Sequence, residues 1–253
     1  MKLFSFGKKK ERLAHRPRPH LSADSPFAIK EAYNSIRTKL IFTGKGEKCP
    51  IFAVTSALAS DGKTTNSVSL AISFAMAEQR VLLIDADMRK PSLHRYFKQE
   101  CRSGLSEILA GLTKEINIRT TEYAHLSFLS AGQIPPNPAE LLGSKQLDTL
   151  LEYARQHFDY VIVDTPPINV VTDASVIAEK VTGFVIVAHV GKNHLRDLKE
   201  AAQRLQVVDG SVVGIILNDP GNRADTHYSY HYNHYYRYDR YKYKYYGEDN
   251  TDK

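Results

Sequence analysis

The sequence predicts an α/β fold with a doubly wound, mostly parallel sheet, flanked by two tails without fixed structure. Three observations predict this fold. Short apolar runs of strand length alternate with segments of helical spacing. The strand-like runs are apolar throughout, as expected where helices cover both faces of a sheet. A segment typical of a phosphate-binding loop lies between the first such strand and the helix that follows it.

Length and composition fit a globular protein with a substantial core. The chain has 253 residues, enough for one large α/β domain or two small ones, and its 42% hydrophobic and 25% charged residues are ordinary values. No run of about 18 apolar residues is present, and the N-terminus lacks the apolar stretch of a signal peptide, so we expect a cytoplasmic protein. Cys49 and Cys101 are too few for a disulfide framework and are expected to stay reduced.

The positive charge is concentrated at one end of the chain. Residues 1–20 contain seven Lys or Arg and one Glu, so they account for the whole formal net charge of +6. Residues 1–25 therefore form a basic, flexible N-terminal arm, expected to be disordered. The arm is either a solvated leader or a weak contact with anionic lipid or an acidic partner, and it does not indicate nucleic acid.

The predicted elements follow from hydrophobic spacing. A first helix over residues 28–42 has Ile29, Tyr33, Ile36 and Leu40 on one face. Short helical turns are predicted at 91–97 and 104–110, and a loop at 135–144. The predicted strands are 51–57, 81–87, 126–132 (with its loop), 160–167, 183–190 and 211–219, and the other helices are 63–79, 145–157, 172–181 and 194–208. The domain is therefore expected over residues 26–219.

Residues 54–65, VTSALASDGKTT, carry the predicted phosphate site. They fit the pattern G-x-x-x-x-G-K-[ST], with Ala57 in place of the first glycine. Backbone N–H groups, a helix N-terminus, the lysine for phosphates and the hydroxyl for Mg²⁺ are what this loop supplies. The predicted nucleotide-binding residues are Ala59, Ser60, Asp61, Gly62, Lys63, Thr64 and Thr65.

Three aspartates end predicted strands beside this loop. Asp85 and Asp87 are two residues apart, which on a strand places both carboxylates on one side. With Mg²⁺ and phosphate present, one can serve the metal and another can accept a proton; the alternative is that they cap helices. Asp164, after four apolar residues, has the pattern of a Walker B aspartate on Mg²⁺. Asp173 is expected to cap its helix, and Asn218 to contact the base.

The C-terminal segment is of low complexity. Residues 227–246, HYSYHYNHYYRYDRYKYKYY, are half tyrosine, and the chain after Asp219 has no Leu, Ile, Val or Phe. Residues 220–253 are therefore expected to be a disordered, tyrosine-rich tail. A solvated tail, an aromatic surface that stacks on nucleic acid, and a metal site at His227, His231 and His234 are the alternatives to a functional tyrosine cluster.

Taken together, these motifs resemble the bacterial tyrosine kinases (BY-kinases) encoded with capsule and exopolysaccharide genes. The resemblance covers roughly residues 25–253: SALASDGKTT is similar to the Walker A motif of the family, VLLIDADMRKP to its Walker A′ and YVIVDTPP to its Walker B, with GLSEIL and PPNPAELL as typical neighbours. It implies a P-loop fold of the MinD/ParA type, with ATP and Mg²⁺ as cofactors.

The resemblance also implies roles for individual residues. Lys63 and Thr64 would bind phosphate and Mg²⁺. Asp85 would be the base that activates a tyrosine hydroxyl, while Asp87 and Asp164 would arrange Mg²⁺ and water. Arg89 and Lys90 would balance phosphate charge. Catalysis is therefore assigned to Lys63, Asp85, Asp87 and Asp164, and metal binding to Thr64, Asp87 and Asp164.

The family resemblance further implies partners. The tail would be an autophosphorylation cluster made of Tyr228, Tyr230, Tyr232, Tyr235, Tyr236, Tyr238, Tyr241, Tyr243, Tyr245 and Tyr246. A membrane adaptor of the polysaccharide co-polymerase type would complete the nucleotide site and bring the kinase to the inner face of the cell membrane, and a cognate tyrosine phosphatase would oppose it. A homo-oligomer, in the family a ring, would use Glu31 and Arg37, although Asn34 replaces the arginine usual between them.

Two other functions share this fold. Partitioning-type ATPases have a lysine that reaches across a dimer, and Leu58 stands at that position here. A nucleotide-gated scaffold without kinase activity would carry the same phosphate loop. The tyrosine tail has no counterpart in the partitioning-type ATPases, whereas the phosphate loop does not separate a scaffold from a kinase.

Overall fold

The computed structural model describes residues 20–219, which form a seven-stranded sheet. The strands are β1 (Ile51–Ser56), β2 (Val81–Asp85), β3 (Arg119–Thr120), β4 (Leu126–Leu129), β5 (Tyr160–Asp164), β6 (Gly183–His189) and β7 (Val212–Asn218). Their order across the sheet is β3-β4-β2-β5-β1-β6-β7. All neighbours pair in parallel except β3, which runs antiparallel to β4. The predicted α/β class is confirmed.

Helix α1 precedes β1, and the other helices lie in the connections between strands. They are α1 (Phe27–Thr43), α2 (Lys63–Ala75), α3 (Leu93–Tyr96), α4 (Leu105–Leu109), α5 (Pro138–Leu142), α6 (Lys145–His157), α7 (Asp173–Val176) and α8 (Leu195–Gln206), with a 3-10 turn at Ala178–Lys180. Within residues 20–219, no helix combines the length and apolar character needed to cross a membrane.

Two hydrophobic clusters, one on each face, hold the layers together. Side chains of one face of the sheet pack with α1 and α2 around Phe52, Phe74 and Val185. Those of the other face pack with α6 and α8 around Leu82, Phe184 and Ile186. Every residue of β1 is buried, so both sides of this central strand are covered. This explains why the strand sequences are apolar throughout and do not alternate.

Helix α1 is tied to α2 by hydrogen bonds as well as by apolar packing. The Arg37 guanidinium donates to the Ser73 carbonyl at 2.6 Å and to the Ser73 hydroxyl at 2.9 Å. Upstream of α1, Leu21 is only 3% exposed, and its N–H donates to the Ser69 hydroxyl at 3.1 Å. The packed part of the chain thus includes residues that the sequence analysis placed in the flexible arm.

Apart from shifts at the ends of elements, such as α2 ending at Ala75 and β2 at Asp85, the structure differs from the predicted elements at three places. Strand β3 has two residues and was not predicted. Residues 138–142 form α5, where a loop was expected; Pro138 suits the first position of a helix because its missing N–H is not needed there. The predicted helix 172–181 is broken: Ile177 leaves helical geometry at φ −95° and ψ 8°, and a 3-10 turn follows.

Candidate active site

The phosphate loop joins β1 to α2 at the carboxyl edge of the sheet, where open α/β folds bind ligands. The loop contains two residues with left-handed backbone, Ser60 at φ 63° and Gly62 at φ 93°. A Cβ on Gly62 would approach the Asn218 Nδ2 to 2.2 Å, so both the backbone and the space require glycine. Gly62 immediately precedes α2, whose N-terminus therefore faces the loop.

Lys63 is buried among carboxylates. Its Nζ lies 2.8 Å from the Asp87 Oδ2 and 3.5 Å from the Asp164 Oδ2. Burial alone would lower the pKa of this ammonium, but the two carboxylates outweigh burial and raise the pKa above its usual value. Lys63 is therefore charged and held at the mouth of the loop.

Asp164 anchors the first turn of α2 to the end of β5. The Thr64 hydroxyl donates to its Oδ2 at 2.7 Å, and the Ser67 hydroxyl donates to its Oδ1 at 2.9 Å. Asp164 is fully buried, and burial raises the pKa of its carboxyl, while Lys63 and Thr64 act in the opposite direction. A carboxylate fixed by two hydroxyls and one ammonium is preorganised for a cation or a phosphate-bound water.

Asp85 combines the two roles that the sequence left open. Its Oδ2 accepts the N–H groups of Ser92 and Leu93, both at 3.0 Å, and so caps the start of α3. Its Oδ1 is buried and has no hydrogen-bond partner in the described part of the chain. Burial, followed by the neighbouring Asp164 charge, raises the pKa of Asp85 to about 7. One oxygen therefore has a structural role, and the other is buried without a hydrogen-bond partner.

Asp87 lies beyond the end of β2, so the strand-based reason for placing it beside Asp85 was wrong. The carboxylate still reaches the site because the chain turns after β2. Its Oδ1 accepts the Lys90 N–H at 3.0 Å, while its Oδ2 pairs with Lys63. The turn that follows β2 thus aims this carboxylate at the phosphate loop.

The residues fit a magnesium ion held jointly with phosphate. No group of three or more His, Cys, Asp or Glu side chains is placed to hold a metal anywhere in residues 20–219. Mg²⁺ usually takes one or two carboxylates, a hydroxyl and substrate phosphates, not a cage made only of protein groups. Thr64 with Asp87 and Asp164 supplies those ligand types, and the unpaired Asp85 Oδ1 adds an oxygen beside them.

The other predicted nucleotide-binding residues lie at the same edge with different contacts. Ser60 is exposed on the loop, whereas the Thr65 hydroxyl is hydrogen-bonded to the Tyr96 hydroxyl at 2.7 Å. The Asn218 Nδ2 donates to the Asp61 carbonyl at 2.9 Å, which packs the end of β7 against the loop. The Ala59 carbonyl accepts a hydrogen bond from Lys192.

Arg89 and Asp173 differ from expectation. The Arg89 guanidinium donates to both carboxylate oxygens of Asp173 at 2.9 Å, and Asp173 is fully buried. Asp173 is the first residue of α7, and no side chain caps that helix, so the predicted cap was wrong. Lys90 is exposed. Glu31 accepts from Asn34 on its own helix, and Arg37 is engaged with Ser73.

Several residues at the site were missed by sequence reasoning. Ser67 follows Thr64 by three positions on one face of α2, and this spacing is the signal that could have found it. Ser92 donates its hydroxyl to the Thr64 Oγ1 at 3.3 Å, and no local pattern marks it. The predicted tail tyrosines and the three tail histidines lie outside the described residues.

The strand, loop and helix, with a buried lysine among three aspartates, define a P-loop α/β protein of the nucleotide-dependent class. Residues 51–206 match the family model described as "AAA domain". The chain is 37% identical over 203 residues to the tyrosine-protein kinase YwqD of Bacillus subtilis, covering 80% of this chain and 85% of YwqD. The chain belongs to the bacterial tyrosine-protein kinase family, which confirms the predicted resemblance.

A second relative and one solved structure agree with this assignment, and a more distant solved structure shares the fold. The chain is 40% identical over 215 residues to the tyrosine-protein kinase Etk of Escherichia coli K12, covering 84% of this chain and 30% of that protein. The kinase domain of Etk superimposes with a TM-score of 0.74 and 36% identity, over 83% of this chain and 86% of that domain. MinD of Pyrococcus horikoshii, solved with Mg-ADP, shares the fold with a TM-score of 0.58 and 20% identity, over 67% of this chain and 70% of that chain.

Proposed function

We propose that this chain transfers the γ-phosphoryl group of ATP to tyrosine hydroxyls, first of all to those of its own C-terminal segment. The observation that supports this most is the buried constellation at the end of the phosphate loop. Lys63 faces two carboxylates, and Asp85 keeps one buried oxygen unpaired. Phosphoryl transfer needs such positioning and charge stabilisation, and little covalent chemistry from the protein.

Each group of residues at the site has a separate role in the proposed transfer. The loop N–H groups and Lys63 hold the β- and γ-phosphates, and Thr64 with Asp87 and Asp164 would hold Mg²⁺, which neutralises phosphate charge when bound. The Asp85 Oδ1 accepts the proton of the attacking tyrosine hydroxyl. A bond forms between the tyrosine oxygen and the γ-phosphorus, the bond from that phosphorus to the β,γ-bridging oxygen breaks, and ADP leaves with the electron pair.

The C-terminal sequence supplies the acceptors. Ten tyrosines fall within residues 227–246, beside four Lys or Arg and one Asp. A tethered acceptor is present at high local concentration, so even a weakly bound tyrosine can be modified. Each phosphotyrosine adds about −1.5 to −2 charges, so two or three phosphates reverse the sign of this segment. We expect this reversal to weaken contacts between subunits in steps.

The proposed setting follows from the family resemblance. We place the kinase in the cytoplasm, where a membrane adaptor of the polysaccharide co-polymerase type recruits it to the inner face of the cell membrane and completes the nucleotide site. A homo-oligomer, a cognate tyrosine phosphatase and a role in capsule or exopolysaccharide synthesis and export complete the proposal. Nucleic acid is not a partner in it. The basic residues 1–20 suit attraction to an anionic membrane surface.

Intact-mass measurement tests the proposed activity. The protein is incubated with ATP and Mg²⁺, with and without the cytosolic segment of an adaptor, beside Lys63→Met and a variant with all ten tail tyrosines changed to Phe. We expect stepwise gains of single phosphates in the wild type, localised to residues 228–246 and absent from both variants. ADP formation without any gain in mass, even with the adaptor segment, would instead identify a nucleotide-gated scaffold or an ATPase.

A further inference from the structure

The phosphate loop contains a buried carboxylate that the proposed chemistry does not use. Asp61 is fully buried, and its side chain accepts three hydrogen bonds. The Leu58 N–H donates to its Oδ2 at 2.8 Å, from within the loop. The Lys192 Nζ lies 2.7 Å from its Oδ1, and the Asn193 Nδ2 donates to its Oδ2 at 3.0 Å. This carboxylate thus joins the loop to a distant segment.

That segment is the turn between β6 and α8. Gly191, at φ 76°, reverses the chain after β6, and the side chains of Lys192 and Asn193 extend to the phosphate loop. Lys192 also donates to the Ala59 carbonyl, so its ammonium contacts the loop at two positions. The Asn193 Oδ1 accepts the His189 N–H, which fixes the turn to the end of its strand. The turn is therefore hydrogen-bonded both to its own strand and to the phosphate loop.

The loop needs such a support because its backbone is strained. Ser60 adopts φ 63°, a left-handed conformation that costs free energy for any residue except glycine. Strained backbone persists where the surrounding structure over-determines it. The contacts around Ser60 come from its two neighbours, since Ala59 and Asp61 both bind Lys192. A single ammonium thus restrains the chain on both sides of the strained residue.

The ammonium of Lys192 binds acceptors of the phosphate loop and not the aspartates of the site. Its acceptors are a carbonyl and a carboxylate of the loop, whereas the ammonium of Lys63 pairs with the aspartates of the site. The Asp61 carbonyl, for its part, accepts from Asn218 at the end of β7. Lys192 therefore contacts the loop itself and none of the four residues assigned to catalysis.

We propose that Lys192 and Asp61 form a clasp that holds the phosphate loop in its binding conformation before nucleotide arrives, which makes Lys192 a positioning residue for nucleotide binding. The inference rests on the proposed function, since it concerns the same loop. Removal of the ammonium leaves the buried Asp61 charge without its cationic partner, so the loop reorganises to solvate the carboxylate. Backbone N–H groups that cradle phosphates then lose their shared orientation.

The test uses the full chain with Lys192→Met, which keeps the length of the side chain and removes the charge. Lys180→Met is the matched control, because Lys180 also pairs with an aspartate, Asp148, and has no contact with the loop. We expect the Kd for fluorescent ADP and ATP analogues to rise about tenfold, and equally for both, because charged hydrogen bonds of this kind correspond to about that factor. Lys192→Arg restores part of the affinity, and Lys180→Met leaves it unchanged.

Two further measurements separate a clasp from other roles. In nucleotide-free protein, amide hydrogen exchange over residues 57–63 becomes faster in Lys192→Met and not in Lys180→Met. We expect the effects of Lys192→Met and Asp61→Asn on the Kd to be non-additive. The Kd of the double variant should then be no higher than the higher of the two single-variant values. The exchange experiment does not depend on nucleotide, so it tests the clasp even if the proposed function fails.

The outcomes that would overturn the clasp differ from the outcome that would overturn the proposed function. A loss of affinity for ATP alone means that Lys192 contacts the γ-phosphate, and it overturns the clasp. A lower unfolding temperature with unchanged Kd and unchanged loop exchange reduces Lys192 to a structural contact, which also overturns it. Failure of the wild type to bind either nucleotide overturns the proposed function, whereas unchanged binding in Lys192→Met overturns only the clasp.

Discussion

Asp85 and Asp164 are paired residues of neighbouring parallel strands, each the last residue of its strand. Both carboxylates are fully buried, and the nearest compensating charge is the single ammonium of Lys63. Burial raises the pKa of Asp85 to about 7, and the neighbouring Asp164 charge adds to this effect, because two carboxylates so close in a dry site cannot both ionise freely. The same proximity makes the site attractive to a divalent cation.

The first prediction concerns pH and stability in nucleotide-free protein. The raised pKa means that the folded state binds a proton which the unfolded state releases, so folding free energy is lost as pH rises from about 4 to 7. Asp85→Asn removes this loss. We expect the variant to gain stability over wild type by on the order of 3 kcal/mol more at pH 8 than at pH 5, since wild type loses about 1.4 kcal/mol for each pH unit between pH 5 and the pKa of about 7. Urea unfolding at the two pH values measures the difference.

Asp159→Asn is the control for that experiment. Hydrogen bonds from Arg80 lower the pKa of Asp159, so it is ionised at both pH 5 and pH 8 and its removal has the same effect at each. An Asp85→Asn variant whose stability relative to wild type does not change between the two pH values would show that Asp85 titrates normally, and would remove the argument for its role as a base at neutral pH.

The second prediction concerns Gly62 in the phosphate loop. Gly46 and Gly62 both have positive φ, 104° and 93°, but an added Cβ meets nothing within 4 Å at Gly46 and meets the Asn218 Nδ2 at 2.2 Å at Gly62. Gly46→Ala should therefore cost only the backbone strain, about 1 kcal/mol. Gly62→Ala should cost more and should weaken ADP binding more than tenfold, because Asn218 and the loop must separate.

A second substitution distinguishes strain from the clash at Gly62. With Asn218→Ala added, the nearest remaining contact of the new Cβ is the Asn66 Nδ2 at 3.6 Å, an ordinary distance. We expect the double variant to recover part of the lost unfolding free energy, measured by urea titration. Equal losses in Gly46→Ala and Gly62→Ala would mean that Asn218 does not pack against the loop.

How much of the fold could be predicted depends on how local the signal is. The bounds of α6, Lys145–His157, were predictable to the residue because Leu147, Leu150, Leu151 and Ala154 are buried at helical spacing behind Ser144. Strand β3 was not, because two residues carry no periodicity. Helix α5 was not predicted because it lies in a Pro-rich stretch, and such a composition is typical of a loop.

The residues of the site likewise differ in how local their sequence signal is. The phosphate loop and the strand-terminal aspartates were visible because backbone geometry fixes their spacing within a short window. The contacts of Lys192 with Asp61 join residues 131 positions apart, and no sequence pattern indicates such a pair. The Arg89–Asp173 pair, 84 positions apart, was missed for the same reason. The sequence therefore placed at this edge of the sheet the residues whose spacing is local, and it did not indicate the distant residues that contact them.

The third prediction concerns Arg37, which the family resemblance assigns to contacts between subunits. In the structure its guanidinium holds α1 to Ser73 on α2. Arg37→Ala should lower the free energy of unfolding by about 1–2 kcal/mol, because it removes hydrogen bonds from a charged group. Glu31→Ala, whose partner lies on the same helix, should change it by less than about 0.5 kcal/mol. If instead both variants keep their stability and lose the oligomer in sedimentation, Arg37 acts between subunits.

The fourth prediction concerns which copy of the chain phosphorylates which. A Lys63→Met chain keeps all ten tail tyrosines and lacks the ammonium proposed to bind phosphate, whereas a chain with those tyrosines changed to Phe keeps Lys63 and lacks the proposed acceptors. We expect neither chain alone to gain phosphate, and the mixture to phosphorylate the Lys63→Met chain at a rate that rises with total concentration. The reason is that an acceptor must lie in line with a γ-phosphoryl group, and in the mixture only another copy can supply that group.

A mass tag on the Lys63→Met chain separates the two species, and phosphate counts are followed by intact-mass spectrometry over a dilution series. A mixture that gains nothing, while wild type gains phosphate at a rate independent of concentration, would establish transfer within one copy. The subunit number of wild type, measured by sedimentation at each phosphate count, then tests the charge argument. If successive phosphates leave it constant although the net charge of residues 227–246 has changed sign, repulsion between tails does not control assembly.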